Sequence, residues 1–455
     1  MPDRRAPLVT LPMRVWRGPA VLRACGSTRH FLPGQREAAM RWSELPCDVG
    51  SARPGHDIRQ SPAAARITIV LHDFSAGGTE HVALRLADAW SASGRDVTLF
   101  CGTEGGQLRD LVAPGVAVVR ASRECVRGPR SRARLGAALA DFLKLSPQDV
   151  VFAPGNFHLP VLARCAQLGT SGATTICKLS NPVTSRSSNP AITTAHNFIL
   201  RQMAAWIDAF VAMSPALRDA ARDALGRPDT AMAWEPILAD ALPIRRPAPS
   251  GRPLVLVIGR LERQKNIELA LDAFACSRAA NDADLLLLGE GRLRARLARR
   301  AKKLGIADRV IMPGYRNAVQ ADLARASALL LTSHFEGYPA VLVEAIAAGV
   351  PVITTPCSPA ISEIVGDYPS SIIVPPDVGL VAAAIDATLA GGRSASDAAP
   401  GRLHARHRIG AAAAGYLMVF DAVRRRSQRS IGVEGPSWTP RSFAVPDLSS
   451  ASIGG

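Results

Sequence analysis

Twelve short runs rich in Val, Ile and Leu, spaced by helix-like stretches, constrain this chain more than any other feature of its sequence. Six come first: "ITIVLH" (67–72), "DVTLFC" (96–101), "VAVVR" (116–120), "DVVFAPG" (149–155), "TTICKLS" (174–180) and "DAFVAMS" (208–214). Six more follow: "PLVLVIG" (253–259), "ADLLLLGEG" (283–291), "RVIMPGY" (309–315), "ALLLTS" (328–333), "PVITT" (351–355) and "SIIVPP" (371–376). A strand that is apolar on both faces has to be covered on both faces. Its alternation with helices therefore predicts parallel sheets between helical layers. The Pro-rich stretch "PIRRPAPSGRP" (243–253) interrupts the pattern, which then restarts. The expected architecture is α/β, with two doubly wound, Rossmann-like domains over 63–245 and 246–408. The stretch "IGAAAAGYLMVFDAVRRR" (409–426) reads as a closing helix with Tyr416, Leu417, Phe420 and Val423 on or near one face.

Charge is uneven along the chain. Residues 1–62 carry ten Arg against five acids, and residues 422–455 carry five Arg against two, within a net charge of +16. Both ends are rich in Pro, Gly, Ser and Arg without periodicity, so 1–62 is expected to be a disordered or loosely attached basic extension and 427–455 a disordered tail. A basic helix, "GRLRARLARRAKKLG" (291–305), reads as a solvated face with a Leu stripe. With few aromatics for base stacking and no binding motif, nucleic acid is not an expected partner. An anionic membrane surface is a partner the charge suits. No apolar run is long enough to span a bilayer, and the start lacks a signal-type hydrophobic segment. The eight Cys have no CxxC spacing and read as small buried residues in a reducing compartment. The expected location is cytoplasmic, peripheral on the inner face of the cell membrane.

Loops past the carboxyl ends of parallel strands form the ligand crevice of such domains. After the first strand, "HDFSAGGTEHV" places Gly77 and Gly78 where backbone can approach a ligand, with Thr79 or Ser75 as a helix cap. After the seventh run, Arg260 and Lys265 stand between a buried strand and a helix, which suits a diphosphate. "GEG" (289–291) ends the next strand on a tight turn. In "SHFEGYPAVLVEAIAAGVPVITT" (333–355), Pro339 opens and Gly349 closes a helix apolar at every position except Glu344, so that carboxylate is expected to be buried and to need a partner. An acid pair in "DADLLLL" (282–288) precedes its strand and lies at the wrong end for the cleft.

In order and spacing, "GRLERQKN", "GEG", "PGY" and "FEGYPAVLVEAIAAGVPVITT" resemble the carboxyl-terminal domain of the family 4 glycosyltransferases, retaining enzymes of GT-B fold. The likeness covers 66–425 in layout and is most specific over 253–365. It implies a GT-B pair of domains facing a central cleft, with the closing helix crossing back to the first. It implies transfer of a sugar from a nucleotide-sugar donor to a glycan or lipid-linked acceptor, in polysaccharide or lipopolysaccharide biosynthesis, with no metal and no other cofactor. By the same resemblance Arg260 and Lys265 hold the departing diphosphate, and Glu336 meets the donor sugar. Glu344 takes the ribose hydroxyls, and the backbone at Ala340 and Val341 adds to the diphosphate site. Gly77, Gly78, Gly259, Gly289, Glu290, Gly314, Tyr315 and Gly337 line the rest of the nucleotide-sugar site.

The amino-terminal half matches less closely. Ser180 or Asn181 stands where many members carry a His, and "WEPI" has Glu235 where an Asn-Pro pair is usual. Asn181, His196 and His158 are the expected acceptor contacts. Two other functions fit the same plan: a nucleotide-sugar epimerase, which would release an altered free nucleotide sugar, and a non-catalytic sugar-nucleotide or membrane-surface binding protein, which would turn over nothing.

Overall fold

In the computed structural model, residues 62–183, 189–240, 251–316, 318–366, 368–391 and 401–432 are described, all within one compact unit, Pro46–Gly455. Residues 1–61 of the expected extension over 1–62, most of the Pro-rich stretch and the tail beyond 432 lie outside them. Each of the twelve apolar runs becomes a strand. The first sheet holds β1 (Arg66–Leu71), β2 (Asp96–Cys101), β3 (Ala117–Arg120), β4 (Val150–Ala153), β5 (Thr174–Lys178), β6 (Ala209–Ala212) and β7 (Ala231–Met232). β7 is two residues long and was not expected. The second holds β8 (Leu254–Ile258), β9 (Asp284–Leu288), β10 (Val310–Gly314), β11 (Ala328–Leu331), β12 (Val352–Thr354) and β13 (Ser371–Ile373).

Every pairing is parallel, in the orders β3-β2-β1-β4-β5-β6-β7 and β10-β9-β8-β11-β12-β13. The strand order reverses direction between β1 and β4 in one sheet and between β8 and β11 in the other. Loops leaving those strands part from one another there and open a crevice at the carboxyl ends. Asp284 opens β9 and pairs with Arg252 at 3.4 Å, so the "DAD" carboxylates do lie at the far end from the crevice.

The closing helix runs over Ile409–Gly432, six residues further than its expected end at 426. It returns to the first domain. Tyr416 and Phe420 are fully buried against Trp90 and Phe152, with the Trp90 and Phe420 rings 5.0 Å apart. The Trp90 indole donates to the Ala413 carbonyl at 3.0 Å, giving the buried N–H its partner. Arg95 and Asp421 pair at 2.9 Å beside it. A short helix, Gly401–His407, precedes it, and there the two interdomain passages of the chain run side by side. Ile237 and Leu238 both donate to the His407 carbonyl, and Ile409 donates back to Leu238. His407 is buried between them, with Nδ1 donating to the Glu235 carbonyl at 3.0 Å and Nε2 accepting from the Tyr338 hydroxyl at 2.8 Å. Burial pushes this imidazole down to about 3, so it is neutral and its tautomer is set by the carbonyl. Among the described residues, no helix is long and apolar enough to cross a membrane.

Candidate functional site

The loops after β8 and β11 meet at the second switch point. Lys265 ends a short turn after β8, and Glu336 lies in the loop after β11. Lys265 Nζ reaches Glu336 Oε1 at 2.6 Å, and the Ser333 hydroxyl donates to the same oxygen at 2.6 Å. Both bonds fall on Oε1. The two loops are also laced together, since the His334 amide donates to the Gln264 carbonyl and the Gln264 side-chain amide donates to the Phe335 carbonyl. Arg260 is exposed and donates to the Gln264 side-chain carbonyl at 3.4 Å.

The helix Ala340–Ala347 follows directly. Pro339 is its cap rather than its first residue, and Gly349 takes the left-handed conformation just past its end. Its first amides, at Ala340 and Val341, have no partners within the helix and carry the positive end of its dipole. Glu344 projects from this helix. Its side chain keeps some contact with solvent, but packing in an apolar helix pushes its carboxyl up to about 7, with the Arg85 charge across the cleft opposing that rise. No described side chain donates to it.

Gly259, Gly289 and Gly314 stack across three neighbouring strand ends, where Gly289 donates to the Gly314 carbonyl at 3.0 Å. Gly289 has a φ of +146°, and a side chain there would sit 2.0 Å from the Gly259 carbonyl oxygen, so only glycine fits. Glu290 is exposed and pairs with Arg294. Tyr315 reaches across the cleft, its hydroxyl 2.8 Å from His81 Nε2. Gly337 lies close against the other domain, since a Cβ on it would sit 1.9 Å from the Ser180 carbonyl oxygen.

The amino-terminal side departs from expectation in several places. Gly77 caps the helix Gly78–Ala92 without any side-chain bond, so neither Thr79 nor Ser75 is the cap. The amino end of this helix already meets an anion: the buried Glu80 carboxylate turns back over Gly77 and pairs with Arg127 at 3.0 Å. An acid in a first turn answers the helix dipole from within the chain. His158 is not a surface contact. It is 1% exposed beside the fully buried His72, and burial pushes it down to about 3. His196 is exposed and spends Nε2 on the Val183 carbonyl at 3.1 Å. Only Asn181 of the three faces the other domain, where its backbone lies against Gly337.

Lys178, Arg85 and His81 were not singled out from the sequence. Lys178, 1% exposed, pairs with Glu235 at 2.6 and 2.9 Å. Arg85 donates to the Pro236 and Ile237 carbonyls at 3.1 Å, and His81, on the same helix, meets the Tyr315 hydroxyl. Six Arg against one Glu over 120–134 was a visible signal. Among the described residues, no cluster of three His, Cys, Asp or Glu could hold a metal ion.

Residues 77–233 match the family description "Glycosyl transferase 4-like domain", and residues 240–402 match "Glycosyl transferases group 1". The two matches adjoin and together span most of the chain. The chain belongs to the family 4 glycosyltransferases. Its two sheets and their facing cleft are the GT-B fold. This family 4 member is similar to the lipopolysaccharide 1,6-galactosyltransferase of Salmonella typhimurium, with 32% identity over 135 residues, 28% of this chain and 37% of that protein. It is also similar to N-acetylgalactosamine-N,N'-diacetylbacillosaminyl-diphospho-undecaprenol 4-alpha-N-acetylgalactosaminyltransferase of Campylobacter jejuni, 32% identical over 123 residues, 27% of this chain and 33% of that protein. The chain thus matches about a third of the length of these curated relatives. Among solved structures, the lipopolysaccharide outer core galactosyltransferase WaaB superposes with a TM-score of 0.55 at 17% identity, over 80% of this chain and 99% of that one. Anabaena HepE in complex with UDP-glucose superposes with a TM-score of 0.59 at 17% identity, over 80% and 99%. At such identities these two show the fold of the family 4 member.

Proposed function

We propose that this protein transfers a sugar from a nucleotide-sugar donor to a glycan or lipid-linked acceptor, with retained configuration and without a metal, in lipopolysaccharide or polysaccharide biosynthesis. The observation that carries the reading is the Lys265–Glu336–Ser333 constellation at the β8/β11 switch point, beside the open amino end of Ala340–Ala347. The site holds a cation, fixed amides and a positioned carboxylate within one pocket of backbone. That set suits a diphosphate leaving from a sugar whose hydroxyls need orientation. A UDP-sugar is the first donor to try, because HepE was solved with UDP-glucose.

In the proposed step the bond from the anomeric carbon to the diphosphate oxygen breaks while one forms to the acceptor oxygen on the same face. The acceptor's proton passes to the departing phosphate oxygen. Lys265 and Arg260 meet the charge that grows on the diphosphate, and Glu336 Oε2 orients the donor sugar. Gly259, Gly289, Glu290, Gly314 and Tyr315 border the base, and Gly337 closes against Ser180. The cytoplasmic face of a membrane is the proposed place of work for a lipid-linked acceptor.

The test is a thermal-stability screen of nucleotide sugars on the full chain, followed by a transfer assay with the stabilising donor in the presence of a chelator. A ligand that binds only the folded state stabilises it by mass action. The reading fails if no nucleotide sugar stabilises the protein, or if the stabilising one emerges altered and free, without acceptor.

Glu344 gives a separate expectation. As a ribose contact, Glu344→Gln should weaken nucleotide binding by about 1 to 3 kcal/mol while the fold survives. A pH series sharpens it. The carboxyl's pKa is raised on folding to about 7, so the folded state binds the proton more tightly than the unfolded one. Its stabilising contribution is present below the ordinary carboxyl range and is lost as pH rises through 7. The ligand-free Gln variant should therefore gain stability over the parent as pH rises from 5 to 8. Denaturant unfolding across that range decides it, and parallel curves would mean that the carboxyl is freely solvated.

A further inference from the structure

Beyond the donor site, the amino-terminal sheet carries a second concentration of chemistry at its own switch point. Six arginines and one glutamate lie between Arg120 and Arg134. Arg120 pairs with Glu124, and Arg127 pairs with Asp73 at 2.5 Å and with Glu80 at 3.0 Å. The Asp73 carboxylate is penalised by burial, yet the Arg127 and Ser75 hydrogen bonds outweigh this and hold it down at about 2. Arg127 is thereby fixed in place at the loop after β1. Arg132 is exposed and pairs with no acid among the described residues. It lies 5.4 Å over the ring of Phe157, while Arg127 lies 5.0 Å over the same ring. A guanidinium stacked on an aromatic face keeps its N–H edge free for a second partner. Arg132 also stands in the first turn of the helix Ser131–Leu145, which has no acid of its own in that turn.

Two further features lie beside this pair of arginines. His72 and His158, 0% and 1% exposed behind Phe157, have no hydrogen-bond partner on any of their four ring nitrogens. Buried polar atoms are normally paired. The Phe157 ring packs edge-on against both, at 5.2 Å. The loop that bears Phe157 is also joined to the donor side. Asn156 donates to the Asn181 carbonyl and accepts from the Ser180 amide, and Ser180 abuts Gly337, next to Glu336.

We propose that Arg132, with Phe157 and the fixed Arg127, forms an anion subsite that seats a phosphate group of the acceptor. The assignment to an acceptor rests on the transfer reading; the anion binding does not. Phosphate chemistry is shared by a soluble phosphorylated glycan and by a lipid headgroup, so the test has two arms, both on the full chain.

In the first arm, inorganic phosphate is titrated calorimetrically with the donor site saturated by a nucleoside diphosphate. The expected result is saturable binding that Arg132→Gln weakens about tenfold, the size of one charged hydrogen bond. Arg299→Gln, which removes an equal charge from the helix Arg294–Lys303, should leave it unchanged. In the second arm, phosphatidylcholine vesicles are compared with and without phosphatidic acid. Arg132-dependent binding to the phosphatidic acid vesicles alone, with none to soluble phosphate, assigns a lipid-borne source. The proposal is overturned by absence of saturable binding in both arms, or by equal effects of Arg132→Gln and Arg299→Gln. If phosphate binds through Arg132 but no nucleotide sugar binds at all, the subsite stands and the transfer reading falls.

Discussion

Lys265→Ala should lower the rate of transfer well over tenfold, with a larger loss than Arg260→Ala. Removing one fixed donor to a developing anion costs about 2 to 4 kcal/mol in the transition state. The ranking comes from geometry. Lys265 is held at 2.6 Å from Glu336 Oε1 and is mostly enclosed, so its charge is already in place when the leaving group forms. Arg260 is exposed and held by one long bond to Gln264, and ordering it consumes part of what it contributes. Losing Lys265 also leaves Glu336 with Ser333 alone. Steady-state kinetics on both variants, at saturating donor, would show the effect in kcat. Near-normal turnover in Lys265→Ala would remove that residue from the site.

The second large effect concerns the fold. Lys178→Met should destabilise the protein by about 3 to 5 kcal/mol, because it leaves Glu235 charged and nearly buried with no cation. Changing both, Lys178→Met with Glu235→Leu, should recover most of that loss, since desolvating an ion pair cancels much of its attraction. Urea unfolding of the three proteins makes the comparison. A single-variant cost below about 1 kcal/mol would mean that water reaches the pair as it reaches surface pairs.

These two residues also show what could be read from sequence and what could not. Strands such as "PLVLVIG" were legible because burial on both faces writes an unbroken apolar run. β7 was not, because two residues carry no period and their pairing comes from β6 alone. Lys265 and Glu336 were legible as parts of a spaced signature, 71 residues apart. Lys178 and Glu235 were not, since a Lys at a strand end reads as solvated until its partner, 57 residues on, is placed beside it. Gly77 and Gly78 were read as open to a ligand, and the structure sets the Glu80 carboxylate over Gly77 while leaving Gly78 open. The local mark stood three residues from Gly77: Glu80 lies in the first turn of the same helix. His158 failed for a different reason, since enclosure on all sides is a tertiary property with no local mark.

The two passages between the domains, laced together at Leu238 and His407, bear on how the halves can move. A single tether would leave the lobes free to swivel, slide and twist about one another. Two tethers side by side act as the paired pins of a door, restricting the motion to rotation about one line. The returning helix anchors the second pin deep in the first lobe through Trp90 and Phe420. Motion of the mouth would then be a swing in one plane, with His81 and Tyr315 meeting like a latch at the free edge. Each swing would bring Gly337 back to the same spot on Ser180.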